Sequence, residues 1–277
     1  MPWQTFGHNQ VKSILEKQLE NQQPAQAYLF MGPEGLGKKS LALEFAKMVL
    51  KAERLDNHPD FIFLAGEGND IPVEAVRRLI SELSTKPFVA SRKVVVVDNA
   101  HNLNTSSGNA LLKTLEEPSP TTVIILVASQ KPLPTIVSRC QVFRFNPFPK
   151  KNLEEFSKAK KLAASEKMIE LSFGSPARLE RLSKDPDFFE SENGSIAKLS
   201  QIEAMSRGER LVALPELAGM EPVELENIFF GWMMHAAGSL GNKPALSKSV
   251  AALQQAIFEL KTNKNKKLIL QGLFSKL

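Results

Sequence analysis

The sequence predicts an α/β fold on a mostly parallel sheet in its N-terminal part, followed by an all-helical C-terminal part. Three observations predict it. Short apolar runs alternate with helical stretches of about ten residues as far as Phe145. A glycine-rich turn, Gly32 to Lys38, joins one such run to one such stretch. Beyond Asn146-Pro-Phe-Pro149 the apolar residues recur only at helical spacing.

In order along the chain, Asn9 to Asn21 reads as an amphipathic helix, with Val11, Ile14, Leu15 and Leu19 on one face. Ala27-Tyr-Leu-Phe-Met31 is apolar throughout and stops at Gly32-Pro33, the pattern of a strand buried on both faces. Ser40 to Leu50 is helical in composition. Phe61-Ile-Phe-Leu64 gives a second strand, Val73 to Leu83 a helix, and Val94-Val-Val-Val97 a third strand. A helix over Ser107 to Glu117 stops at Pro118-Ser-Pro120, because proline cannot continue the hydrogen-bond ladder. Val123-Ile-Ile-Leu-Val127 and Val142-Phe-Arg-Phe145 complete five strands. Of the helices that follow, one carries Leu225, Ile228, Phe229, Trp232, Met233 and Ala236 on a single wide apolar face. The stripe suits an intramolecular core and also helix-to-helix packing with a partner.

Composition narrows the function classes. The length of 277 residues allows two domains of about 150 residues each. A hydrophobic share of 43% with 23% charged residues excludes wholesale disorder. No apolar run approaches the roughly 18 residues a bilayer span needs, so no membrane partner is expected. The start of the sequence has no apolar leader segment. One cysteine, Cys140, and four scattered histidines predict neither an intrachain disulfide nor a zinc site. Together these readings predict a cytoplasmic protein. The net charge of +5 is compatible with a nucleic-acid partner without requiring one. On charge alone Lys261, Lys264, Lys266, Lys267 and Lys276 near the end read as a solvated helix face and terminus.

Gly32-Pro-Glu-Gly-Leu-Gly-Lys38 has the context of a phosphate-binding loop. Its glycines let backbone N–H groups turn inward, and the following helix adds its positive dipole end. Lys38 would reach the terminal phosphates. The next position ordinarily supplies a Ser or Thr hydroxyl to magnesium, and here it is Lys39. Ser40 stands about 100° further round the helix. Asp98, at the end of the third strand, is a candidate metal partner or a simple strand-end cap. Beside it, where hydrolysis needs a second carboxylate, stands Asn99, whose amide cannot accept a proton. The loop therefore reads either as a retained shape or as a weak nucleotide site, without hydrolysis.

The loop, Asp98-Asn-Ala-His101, Asn109-Ala-Leu-Leu-Lys-Thr-Leu-Glu-Glu-Pro118 and Ser138-Arg-Cys140 follow one another at spacings that resemble the AAA+ clamp-loader family of bacterial DNA polymerase III, in particular its delta-prime branch. The resemblance implies an AAA+ phosphate-loop ATPase-like sheet domain at 1–146, a small helical lid at 147–187 and a helical collar for oligomerisation at 188–277. Gly174-Ser-Pro-Ala-Arg178 is similar to the family's lid motif, which marks Arg178, and Asn263-Lys-Asn-Lys-Lys-Leu268 to a late collar signature. The ATP-hydrolysing gamma and tau subunits keep the Thr and Glu replaced here by Lys39 and Asn99. The resemblance thus implies a non-hydrolysing, stator-like subunit. Its own site (Gly32, Gly35, Gly37, Lys38 and Asp98) would at most hold ATP or ADP weakly. Implied partners are gamma or tau, delta, the sliding clamp and primed DNA.

Read by itself, Arg139 is an ordinary surface or salt-bridging arginine. The resemblance implies an arginine finger that projects toward a neighbouring subunit's ATP. The family's four-cysteine zinc module is absent: Lys51 to Asn57 runs directly to His58-Pro-Asp-Phe61. Gln26 replaces the usual His before the first strand, and a short chain implies a trimmed collar. The rival readings are a gamma/tau-like ATPase subunit and a free-standing DNA-binding protein.

Overall fold

The computed structural model describes residues 3–66, 70–222, 225, 228–231, 233, 251–253, 255–257, 259–260 and 265–276. The chain divides into two compact units, one of residues 1–162 with 174–179, the other of 163–173 with 180–277. The first unit is built on five strands: β1 (Ala27–Met31), β2 (Phe61–Ala65), β3 (Lys93–Asp98), β4 (Thr122–Ala128) and β5 (Gln141–Arg144). They lie in the order β2-β3-β4-β1-β5. Every pairing between them is parallel.

Alternation within each apolar run sorts side chains to the two faces of the sheet. Tyr28, Phe30, Val94, Val96, Val123 and Ile125 pack with Leu15 of α1 (Asn9–Glu20) and with Leu41, Phe45 and Val49 of α2 (Lys38–Leu50). Leu29, Val95, Val97, Ile124 and Leu126 pack with Val76 and Leu79 of α3 (Val73–Leu83) and Leu111 and Leu115 of α4 (Thr105–Glu116). Each large apolar side chain buried this way contributes about 1.5–3 kcal/mol. Both faces of β1, β3 and β4 are covered, which is why these strands read as unbroken apolar runs.

Helix α2 begins at Lys38, two residues before the helical composition does, with left-handed Gly37 as its cap. Helix α4 is capped by Asn104, whose side chain accepts the Ser107 amide at 3.0 Å. A short helix α5 (Pro134–Val137) leads into β5, and α6 (Lys150–Lys160) follows it. Buried Asp60, just before β2, accepts the backbone amides of Phe88, Val89 and Ala90 at 2.5, 2.7 and 2.7 Å. Burial alone would raise its carboxyl; those amides, with His58 nearby, instead hold it below the ordinary range.

Among the described residues the second unit is helical. It contains α7 (Glu166–Leu171), the end of α8 (Pro176–Lys184), α9 (Pro186–Ala204), α10 (Arg207–Gly219) and α11 (Lys266–Lys276). Its core joins Leu214 and Leu217 to Leu225, Ile228, Phe229, Leu253, Leu270 and Leu273. The described part of the apolar stripe is thus core, with Met233 packed against it, while Trp232 and Ala236 lie outside the described residues. Lys261 and Lys264 also lie outside them, and Lys266 Nζ donates to the Met220 carbonyl at 2.7 Å.

Helix α6 stays with the sheet unit, where Phe156 meets the Phe6 ring at 5.2 Å between centroids. Position 187–188 falls inside α9. No helix among the described residues is long and apolar enough to cross a membrane.

Candidate functional site

Because the strands are parallel and β4 lies between β3 and β1, three loops meet at one rim of the sheet. The glycine loop leaves β1, Ser129 follows β4, and Asp98 ends β3. This is the rim where open parallel sheets bind ligands. Gly35 and Gly37 take φ of 74° and 83°, the left-handed region that glycine adopts without strain. A Cβ on Gly35 would lie 2.1 Å from Ser175 Oγ. The motif at 174–178 therefore packs directly on the loop, and the Ala177 amide donates to the Gly35 carbonyl at 3.2 Å. Ser175 Oγ accepts the amide of Arg178, which is half-buried in the first turn of α8.

Lys38 is 6% exposed, and its ammonium donates to the Pro33 carbonyl at 2.5 Å, folding back over the loop. Burial lowers its pKa to about 8, against the opposing pull of Glu34 and Asp98. The N-terminal segment pins the other side of the loop. Thr5 donates its amide and its hydroxyl to Glu44 Oε1, both at 2.9 Å. His8 Nε2 donates to the Leu36 carbonyl at 2.7 Å, between the rings of Phe145 and Phe148.

Lys39 does more than omit a hydroxyl. Its Nζ stands 3.0 Å from Asp98 Oδ2 and 4.7 Å from the centre of the Phe63 ring. Asp98 Oδ1 accepts the Asn99 amide at 3.0 Å, so both oxygens of the carboxylate are engaged. Asn99 is left-handed at φ 54°, a conformation asparagine tolerates better than most residues. Ser40 is exposed. A magnesium ion, which needs oxygen ligands in near-octahedral array, does not fit here: the hydroxyl is missing and a cation already faces the carboxylate. Beside them Ser129 Oγ lies 3.2 Å from His101 Nε2, and burial lowers the pKa of His101. Neither Ser129 nor Phe63 stood out in the sequence. The usable signal was position, one at the end of a strand and one within an edge strand.

Arg139 lies at the opposite rim, between α5 and the start of β5. Five residues of β1, at about 3.3 Å each, put it on the order of 15 Å from its own glycine loop. Its Nε donates to Glu116 Oε1 at 2.7 Å, and its Nη2 meets the same carboxylate. Its Nη1 donates to the Thr135 carbonyl at 2.9 Å. The Arg139 side chain is 31% exposed and that of Glu116 48%. A cleft of about 230 Å³ opens beside them, lined by Gln26, Ala27, Leu115, Pro118 and Gln141. Glu116 belongs to the Leu-Glu-Glu-Pro string, yet nothing in that string marks it as the partner of an arginine 23 residues away. Cys140 is half-buried, and burial raises its thiol pKa to about 12, which leaves it unreactive.

Residues 7–149 match the family described as DNA polymerase III, delta subunit. A Pseudomonas aeruginosa protein named DNA polymerase III subunit delta' is 37% identical over 185 residues, which cover 58% of this chain and 56% of that protein. A Bacillus subtilis protein of the same name is 31% identical over 162 residues, 52% of this chain and 49% of its own. The chain thus spans about half the length of the curated relatives it matches. The crystal structure of a gamma subunit-related protein of DNA polymerase III from Thermotoga maritima shares the fold, with a TM-score of 0.50 at 19% identity over 96% of this chain and 97% of that one.

Proposed function

This chain belongs to the family described as DNA polymerase III, delta subunit, and on that premise we propose that it is a delta-prime-type, stator-like subunit of a bacterial clamp loader. It joins gamma or tau and delta in a ring that opens the sliding clamp and places it on primed DNA. It does not hydrolyse ATP itself. Its glycine loop (Gly32, Gly35, Gly37 and Lys38), with Arg178 in the motif above, keeps weak ATP or ADP binding, and no zinc is used. The sheet domain, lid and collar at 1–146, 147–187 and 188–277 belong to the same reading.

One observation carries the proposal: the pair Lys39–Asp98 and the pair Arg139–Glu116 stand at opposite rims of the sheet. At the glycine-loop rim Lys39 is paired with Asp98, and Asn99 offers no base. Arg139, at the other rim, is out of reach of that loop, so a phosphate it contacts belongs to another chain. Its guanidinium is planar and permanently charged, and it exchanges Glu116 for phosphate oxygens as charge develops in phosphoryl transfer. Exposed ion pairs contribute about 0–1 kcal/mol, so the exchange costs little. The test is co-purification of the full chain with gamma or tau and delta, followed by clamp loading on primed DNA. A ring that assembles and loads clamps without this chain would refute the proposal.

A further inference from the structure

The misfit between the glycine loop and magnesium has a positive content. We infer that Lys39 is a tethered substitute for the divalent cation, so that the loop takes a nucleoside diphosphate free of metal. The inference rests on the reading that residues 32–38 keep weak nucleotide binding. Two side chains from adjacent strands lie against the ammonium, Asp98 of β3 at 3.0 Å and the Phe63 ring of β2 at 4.7 Å. The carboxylate that would hold a metal is only 13% exposed and has both oxygens engaged. Magnesium entering there must break the ion pair and stand beside a displaced ammonium of the same sign, without a hydroxyl ligand in return. The Lys39 side chain is 51% exposed, so its ammonium is free to turn toward a phosphate while remaining near Asp98. Lys38, buried at the helix start, meets the phosphates from inside the loop. An ammonium brings one positive charge where magnesium brings two. The arrangement therefore suits the smaller charge of a diphosphate better than that of a triphosphate.

The experiment titrates the full chain with ADP in a calorimeter, once with EDTA and once with excess magnesium. The expected result is a Kd that differs by less than about threefold between the two conditions. In Lys39→Thr, which supplies the hydroxyl and removes the ammonium, magnesium is expected to tighten ADP by about tenfold or more. Lys39→Arg keeps the charge and is expected to stay indifferent to magnesium, which guards against a folding defect in the threonine variant. Wild-type binding tightened tenfold by magnesium would overturn the inference and leave the nucleotide reading standing. So would a Lys39→Thr variant that binds ADP with no response to magnesium. No ADP binding by the wild type under either condition would refute the nucleotide reading, and this inference with it.

Discussion

The two rims of the sheet are built from the same strands and treat charge in opposite ways. At the glycine-loop rim the charges answer one another inside the chain: Lys39 faces Asp98, and Lys38 is buried against a backbone carbonyl. At the other rim Arg139 is held by a half-exposed carboxylate, a turn carbonyl and the Ser138 hydroxyl, beside an open cleft. The two pairs are exposed at opposite ends: at the glycine loop the lysine is 51% exposed and its carboxylate 13%, whereas at the far rim the arginine is 31% exposed and its carboxylate 48%. The glycine loop keeps its left-handed turn while Lys39 and Asn99 stand where magnesium and base chemistry would need a hydroxyl and a carboxylate, which on the proposed reading leaves it without turnover. On the proposed reading the function lies at the far rim.

The largest expected effect concerns the glycine-loop rim. The chain alone should release phosphate from ATP more slowly than an intact ring by a factor on the order of 10³ or more, because metal and water placement supply most of the catalysis. Steady-state phosphate release checks this, and turnover near that of the ring would erase the contrast between the rims.

The next effect concerns the scaffold of the far rim. Asp60→Ala leaves three amides before β3 without their acceptor and should cost about 3 kcal/mol, read as a lower urea midpoint. Phe88→Ser at the same turn, 86% exposed, should stay within about 0.5 kcal/mol. The Asp60 pKa is lowered in the folded chain. Its contribution is therefore complete above the unfolded value of about 3.9 and is lost as pH falls through the folded one. Wild type should lose stability below about pH 4 more steeply than Asp60→Asn.

A smaller effect separates holding from orienting. Glu116→Gln removes the charge that competes for Arg139, and should lower the apparent KM for ATP of the ring by about twofold to fivefold with little change in kcat. A tenfold fall in kcat would mean instead that Glu116 orients the arginine. The smallest effect is in pH. Burial lowers the pKa of His8 and His101, so below about pH 6.5 these two side chains take up protons more readily in the unfolded chain than in the folded one. Thermal stability should decline from there toward pH 5, less so in a His8→Gln variant.

The strands were legible as short apolar runs, unbroken in β1, β3 and β4 because those three are buried on both faces; all five fall within a residue or two of the runs, and α3 matches its periodicity at both ends. Helix α2 starts early because its first residues, Lys38 and Lys39, are charged and carry no apolar signal. The glycine loop, Asp98, Asn99 and Arg139 were legible as residue types in a pattern. Their partners were not. Lys39 meets Asp98, and Glu116 meets Arg139, only through the strand order β3-β4-β1-β5, which periodicity does not encode. Nor did sequence spacing show that the stripe at Leu225, Ile228 and Phe229 closes on α10 and α11; that too depends on long-range packing.

The division of labour between the rims is tested most directly by DNA- and clamp-stimulated ATP hydrolysis in rings reconstituted with Arg139→Ala or with Lys38→Ala. Arg139→Ala should leave assembly intact and slow hydrolysis at the neighbouring site by a factor on the order of 10³, with a smaller loss for the ring because its other sites keep their own arginines. Lys38→Ala should leave the rate within about twofold, because the proposed reading gives its own site no turnover. A ring slowed by Lys38→Ala and indifferent to Arg139→Ala would contradict the account and make this chain an ATP-hydrolysing subunit.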